Sequence, residues 1–247
     1  MAVVLSGKSL TLEELARVAF ENDTVEVSGE ARKRVHDSRR VVEEILEAKR
    51  VVYGINTGFG NFRNVVIPRE DLEELQTNLI RSHCAGVGDP FSEEIVRTIL
   101  LLRINALASG HSGIDPETLE GLVSMLNAGV VPLVPQKGSV GASGDLAPLA
   151  HVASVLIGEG EAFYEGVPMP GAEALSRAGL RKKTLHPKDG LALINGTQVI
   201  SALLAHAVIG ARRLIRTADV VGTLTLDALL GTDVAFDPRI HEARPHP

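Results

Sequence analysis

The stretch GLALINGTQVISALLAHAVIGA, residues 190–211, decides the class of fold. Wound as a helix it is apolar on nearly every side, interrupted by Asn195, Gln198, His206 and glycines 190, 196 and 210. Such a helix is either the centre of a bundle or a membrane span. The polar side chains would be expensive in lipid, so the pattern predicts a buried helix of a bundle and no membrane partner. From Asn195 onward the chain reads as long buried helix, and residues 218–230 are still apolar and periodic. A surface of this kind needs partners to cover it. The remaining residues, ending Arg244-Pro-His-Pro247, offer no later helices, so the expectation is a truncated chain or one that depends on other subunits.

Upstream, apolar residues recur mostly at helical spacing. Thr11 with Glu14 makes a capping-box pattern and predicts a helix through about Phe20. A second helix is predicted from about Glu30 to Lys49, with Val35, Val42, Ile45 and Leu46 on one stripe. Ser92 is placed to cap a third, with Ile95, Ile99, Leu102 and Ala106 as its face and Gly110 as its end. Asp115-Pro116 opens another, with proline at the first helical position. Strand signals are short: Val3 to Leu5, Val25 to Val27, Val51 to Tyr53, and a candidate hairpin over 162–167. The fold expected is mainly α, a small α+β N-terminal region followed by the start of a long-helix bundle. Its divisions are residues 1–110 and 111–247.

The 247 residues are 45% hydrophobic with a net charge of −6, enough for a sizeable core. No long basic run is present, which argues against nucleic acid and anionic membranes as partners. A single cysteine, Cys84, rules out an internal disulfide and suits a reducing, cytoplasmic setting. The N-terminal apolar run is too short for a signal peptide. The eight histidines are scattered, with no pair at i, i+4 and no cysteine cluster, so no metal site is expected.

Four segments carry chemistry. Tyr53-Gly-Ile-Asn-Thr-Gly-Phe-Gly60 has three glycines and reads as a tight loop, but lacks the spacing of a dinucleotide fingerprint. Ser82-His83-Cys84-Ala85-Gly86 puts His83 on the face of Leu75 and Leu79, where a packed helix-end histidine is the plain reading. Gly138-Ser-Val-Gly-Ala142-Ser143-Gly144-Asp145-Leu-Ala-Pro-Leu149 reads as a glycine-rich loop with Asp145 capping the next helix. It is neither a nucleophile elbow nor a phosphate loop. Gly190-Leu-Ala-Leu-Ile-Asn195-Gly196-Thr-Gln198 places an asparagine at the mouth of an apolar helix. Cys84 reads as a packing residue.

In this order the four segments resemble the histidine and aromatic amino-acid ammonia-lyase family, over essentially the whole chain. The third is the most specific. The resemblance implies an electrophilic cofactor, 4-methylidene-imidazole-5-one (MIO), cyclised from Ala142-Ser143-Gly144 with no external cofactor. The Gly144 amide nitrogen would attack the Ala142 carbonyl carbon, two waters would leave, and Ser143 would become a dehydroalanine. It further implies that Tyr53 is a proton-transfer residue near the methylene and that His83 contacts the substrate side chain. Asn195 would hydrogen-bond near cofactor and substrate, and Asp145 would assist cyclisation or simply cap.

The reaction implied is removal of ammonia from L-histidine to give trans-urocanate, in a homotetramer. Longer relatives supply an arginine, a tyrosine and a glutamate for which this chain has no matching segment. The chain alone is therefore expected to be inactive unless the missing half is supplied in trans. Three other readings stand beside it. One is a tyrosine or phenylalanine lyase or aminomutase of the same family. Another is the fumarase/aspartase group, whose Gly-Ser-Ser-x-Met-Pro-x-Lys-x-Asn loop has no match here. The third is a non-catalytic helical fragment that only associates with other chains, marked by an uncyclised Ser143.

Overall fold

The computed structural model describes residues 2–245 and is mainly α. In chain order its elements are β1 (Val3–Leu5), α1 (Leu12–Phe20), β2 (Val25–Val27), α2 (Gly29–Glu47), α3 (Leu72–His83), β3 (Val87–Pro90), α4 (Glu93–Leu107) and α5 (Pro116–Asn127). There follow β4 (Val131–Pro132), β5 (Pro135–Lys137), α6 (Leu146–Leu156), β6 (Glu161–Tyr164), β7 (Val167–Pro170), α7 (Gly171–Arg177), α8 (Asp189–Ile194), α9 (Gln198–Ala228) and α10 (Pro238–Ala243). One compact unit runs to Ala205 and a second begins at His206.

Local chemistry sets the helix starts. Thr11 Oγ1 accepts the Glu14 N–H at 3.1 Å and Glu14 Oε2 accepts the Thr11 N–H at 2.8 Å, which completes the capping box of α1. Ser28 caps α2 through the Ala31 N–H, and Asp115 caps α5 through the Glu117 N–H. β1 and β2 pair in parallel, Val3 opposite Val25 and Leu5 opposite Val27, with those four residues buried and Val4 and Glu26 outward. The hairpin forms as β6 and β7. Glu165 at φ +53° and Gly166 at φ +75° supply the left-handed pair that a two-residue turn needs.

Three expectations are corrected. Val51 to Tyr53 is no strand. The Asn56 side chain takes the groups a ladder would use: its Oδ1 accepts the Val52 N–H at 2.9 Å and its Nδ2 donates to the Arg50 carbonyl at 2.8 Å. The α4 stripe is also different. Ile99 is buried, but Ile95 and Leu102 are half-buried and Ala106 is exposed. The buried surface is broad instead, with Val96, Leu100, Leu101, Ile104 and Leu107, because α4 packs against both α1 and α5. Two arginines, Arg97 and Arg103, lie within it.

The third correction concerns α9. Of its 31 residues only Val199, Ala202 and Ala205 are buried, while Leu204, Leu214, Ile215, Val220, Val221 and Leu224 are exposed. Periodicity reports a face that can be covered; burial depends on a neighbour. By length and composition alone the helical stretch 189–228 could cross a membrane, and a third of its most apolar window is buried within this chain.

Helices α3, α6 and α8 pack on one another. Against this group stands the loop 51–60, whose Ile55 packs on Val42 and Ile45 of α2. Asn56 braces that loop from inside, at 8% exposure. Asn56→Ala removes the partners of the Val52 N–H and the Arg50 carbonyl, a cost of about 1 kcal/mol. Urea unfolding of the variant should show that loss, and an unchanged midpoint would mean the brace is idle.

Candidate active site

The site is assembled from helix ends. His83 is the last residue of α3, Ala142-Ser143-Gly144 lie just before α6, and Asn195 is the residue on which α8 ends. Because the three helices pack on one another, their ends bring these segments within reach. Asn195 Nδ2 lies 3.2 Å from Ser143 Oγ, to which it donates. Ser143 has φ +62°, left-handed backbone that a non-glycine residue adopts only when its surroundings require it.

Gly144 explains the requirement. Its φ is +106°, and a Cβ there would lie 2.4 Å from the Gly196 carbonyl oxygen. That oxygen in turn accepts the Asp145 N–H at 2.7 Å. The loop before α6 and the turn after α8 are thus pressed backbone to backbone.

Asp145 completes the joint in a manner that corrects the sequence reading. It makes no side-chain cap for α6. Its carboxylate, fully buried, caps α9 instead: Oδ2 accepts the Val199 and Ile200 N–H groups at 2.9 and 3.1 Å, and Oδ1 accepts the Ser139 hydroxyl at 2.8 Å. The open donors of one helix start are satisfied by a residue beside the start of another. Spacing along the sequence could not show this, because the partner lies 54 residues on.

His83 is half-buried. Its Nδ1 is 2.9 Å from the Leu79 carbonyl and 3.0 Å from Ser82 Oγ. A carbonyl only accepts, so the neutral ring carries its proton on Nδ1 and presents Nε2 as an acceptor. Cys84 is next; burial pushes its thiol pKa up, which suits packing and not nucleophilic attack. Tyr53 is 54% exposed, its ring edge-on to Phe59 with centroids 6.1 Å apart. The neighbouring Gly54 lies against Leu191 of α8, which brings this loop to the same three-helix group. Among the described residues, hydrogen bonding joins Ser143 to Asn195 but not to Tyr53 or His83. No cluster of three metal-ligating side chains occurs among them.

Two residues of this neighbourhood escaped the sequence reading. His151, on α6, accepts the Gly86 N–H at Nε2, 3.1 Å away, and so ties the segment after His83 to the helix that follows Ser143. Arg103 sits beneath the Asn195 turn. The one signal for either was an ionisable residue inside an apolar helix pattern, which by itself suggests only an exception.

Comparison with known proteins fits this geometry. The model of the family described as aromatic amino acid lyase matches residues 10–247. The chain is 53% identical to a histidine ammonia-lyase of Alkaliphilus metalliredigens, over 99% of this chain and 48% of that protein. It is similar to the crystal structure of histidine ammonia-lyase from Trypanosoma cruzi, with a TM-score of 0.93 and 44% identity, covering 100% of this chain and 48% of the other. A tyrosine aminomutase from Streptomyces globisporus gives a TM-score of 0.92 and 41% identity, over 100% and 46%. The chain thus spans about half the length of the relatives it matches.

The His151 contact carries a pH dependence. Burial lowers its pKa below the ordinary histidine value, and its Nε2 must be unprotonated to accept from Gly86. The folded chain therefore resists a proton that the unfolded chain takes up near pH 6.5. Stability is complete above that value and falls as the pH drops through it. His151→Gln keeps an acceptor but does not titrate. Urea midpoints between about pH 7 and about pH 5 should fall for the natural chain and flatten for the variant; parallel curves would show that His151 is not the group responsible.

Proposed function

This chain belongs to the aromatic amino acid lyase family, and on that footing we propose that the protein releases ammonia from L-histidine without net oxidation, giving trans-urocanate. The observation that carries the reading is the backbone at Ser143 and Gly144. Both residues are left-handed, and the peptide that follows is pinned to Gly196. Such a loop folds its two sides toward each other, the compression that cyclisation of Ala142-Ser143-Gly144 to MIO needs. Residue types fit the group. Gly144 has room for no side chain and offers an unhindered amide nitrogen, while Ser143 carries the hydroxyl that leaves.

Once formed, the group supplies an electrophilic methylene, which no ordinary side chain offers. The rest falls to the chain. The Asn195 carboxamide donates toward position 143 and orients what lies there. His83, with Nε2 available, accepts an N–H from an imidazole side chain. Tyr53 is the residue we assign to moving the β-proton, on its hydroxyl oxygen. Asp145 holds the loop. Ser82-His83 favours histidine over phenylalanine, and the identity to histidine ammonia-lyases exceeds that to the aminomutase. We further propose a cytoplasmic homotetramer, in which residues 1–110 form the N-terminal domain and residues 111–247 the start of the bundle.

The intact mass of the purified protein should be two waters below the sequence value, with the loss confined to the peptide containing 142–144. Ser143→Ala should retain the full mass and release no urocanate. With the missing half of the site supplied in trans, His83→Leu should lower kcat/KM for L-histidine by about 10- to 100-fold, the loss of one substrate hydrogen bond. An unmodified mass would overturn the assignment of the electrophile. Faster turnover of L-tyrosine than of L-histidine would transfer the activity to the other branch of the family.

A further inference from the structure

Arg103, on α4, is 5% exposed and has no carboxylate partner among the described residues. Its Nη1 donates to Gln198 Oε1 at 2.8 Å, and its Nη2 donates to the carbonyls of Ala192 and, at 3.2 Å, Asn195. Its Nε has no partner. Burial pulls its pKa down to about 10, so it remains a cation at neutral pH. A buried charge held only by neutral oxygens is costly, and apolar residues would fill the volume more cheaply.

The placement shows what the cation does. Ala192 and Asn195 contribute carbonyls at the open C-terminal end of α8, where the negative end of the helix dipole lies. Gln198 begins α9. One guanidinium therefore bridges two helices across the turn Asn195-Gly196-Thr197. Gly196 is the residue that lets it: a Cβ there would stand 2.2 Å from Nη1 and 2.1 Å from Gln198 Oε1. On its other side the same turn receives the Asp145 N–H through the Gly196 carbonyl.

We propose that Arg103 is a positioning residue, which sets the Asn195 carboxamide against residue 143 by bridging the last carbonyls of α8 to the first turn of α9. No hydrogen bond joins Arg103 to residues 142–144, so it acts through Asn195. The chemical consequence rests on the function proposed above; the bridge rests on geometry alone. A lysine keeps the charge but cannot span three oxygens as a planar fork does.

Two readouts test it on the whole protein: amide exchange at Asp145, Val199 and Ile200, and the fraction of chains two waters lighter than the sequence. In Arg103→Lys, exchange at those three amides should rise at least about tenfold, with α1 and α5 unchanged, and the cyclised fraction should fall. Gln198→Met cuts only the α9 arm and should show the same pattern more weakly; it carries the test if Arg103→Lys does not fold. In an Asn195→Ala background Arg103→Lys should lower the cyclised fraction no further. Unchanged exchange, or an additive fall in that background, overturns the proposal. If the natural chain shows no loss of water, the function proposed above has failed, and the exchange result still decides the bridge.

Discussion

The buried carboxylate of Asp145 is the constraint on which the site depends. It stands at the start of α6 yet satisfies the first open N–H groups of α9, and its own amide is held by the carbonyl of Gly196. A capping interaction is usually local, within three or four residues of one helix. Here it is a clamp between two helix starts, and it forces the loop before α6 to lie along the turn before α9. Ser139 adds its hydroxyl to the other carboxylate oxygen, so the loop is held from both ends. No lysine, arginine or histidine forms an ion pair with Asp145 among the described residues; helix-end N–H groups and a hydroxyl supply its partners.

Mutual packing of α3, α6 and α8 then does the gathering. His83, the 142–144 loop and Asn195 stand at the ends of these helices, and the Tyr53 loop rests on Leu191. Helix ends have unpaired backbone groups, and they are where a rigid scaffold can present polar atoms in fixed directions. The remaining ties run between segments distant in sequence, Gly86 to His151 and Asn195 to Arg103. Each uses an ionisable group, a half-buried histidine whose pKa burial lowers and a buried arginine that stays charged.

Much of this was legible in the sequence, for stated reasons. Local rules carried the helix starts at Thr11 and Asp115, since a cap and its partner lie within three residues. The four chemical segments were legible as segments, and the resemblance ordered them. What could not be read was tertiary. Val51–Tyr53 looked like a strand because its apolar run gives no hint that Asn56 would take its backbone groups. Asp145 was assigned to the nearest helix because its real partners lie more than fifty residues on. Arg103 was hidden because an arginine in a helix is ordinarily a surface residue, and only the placement of Ala192, Asn195 and Gln198 shows otherwise.

The cost of this arrangement indicates what it is for. A core chosen for stability alone would replace Arg103 by an apolar side chain and would not hold Ser143 in a left-handed conformation. Both features are unfavourable taken singly, and both bear on one contact, the 3.2 Å between Asn195 Nδ2 and Ser143 Oγ. Asn195 is itself exposed, so its side chain gains little from burial and would sample several rotamers on a free backbone. Clamping the backbone on both sides, by Arg103 and by the Asp145 amide, removes that freedom without covering the side chain. An exposed carboxamide on an immobilised backbone stays open to a small molecule and needs little further ordering when one arrives. That is the property a site for positioned chemistry requires, and the expense of the buried cation is intelligible in those terms.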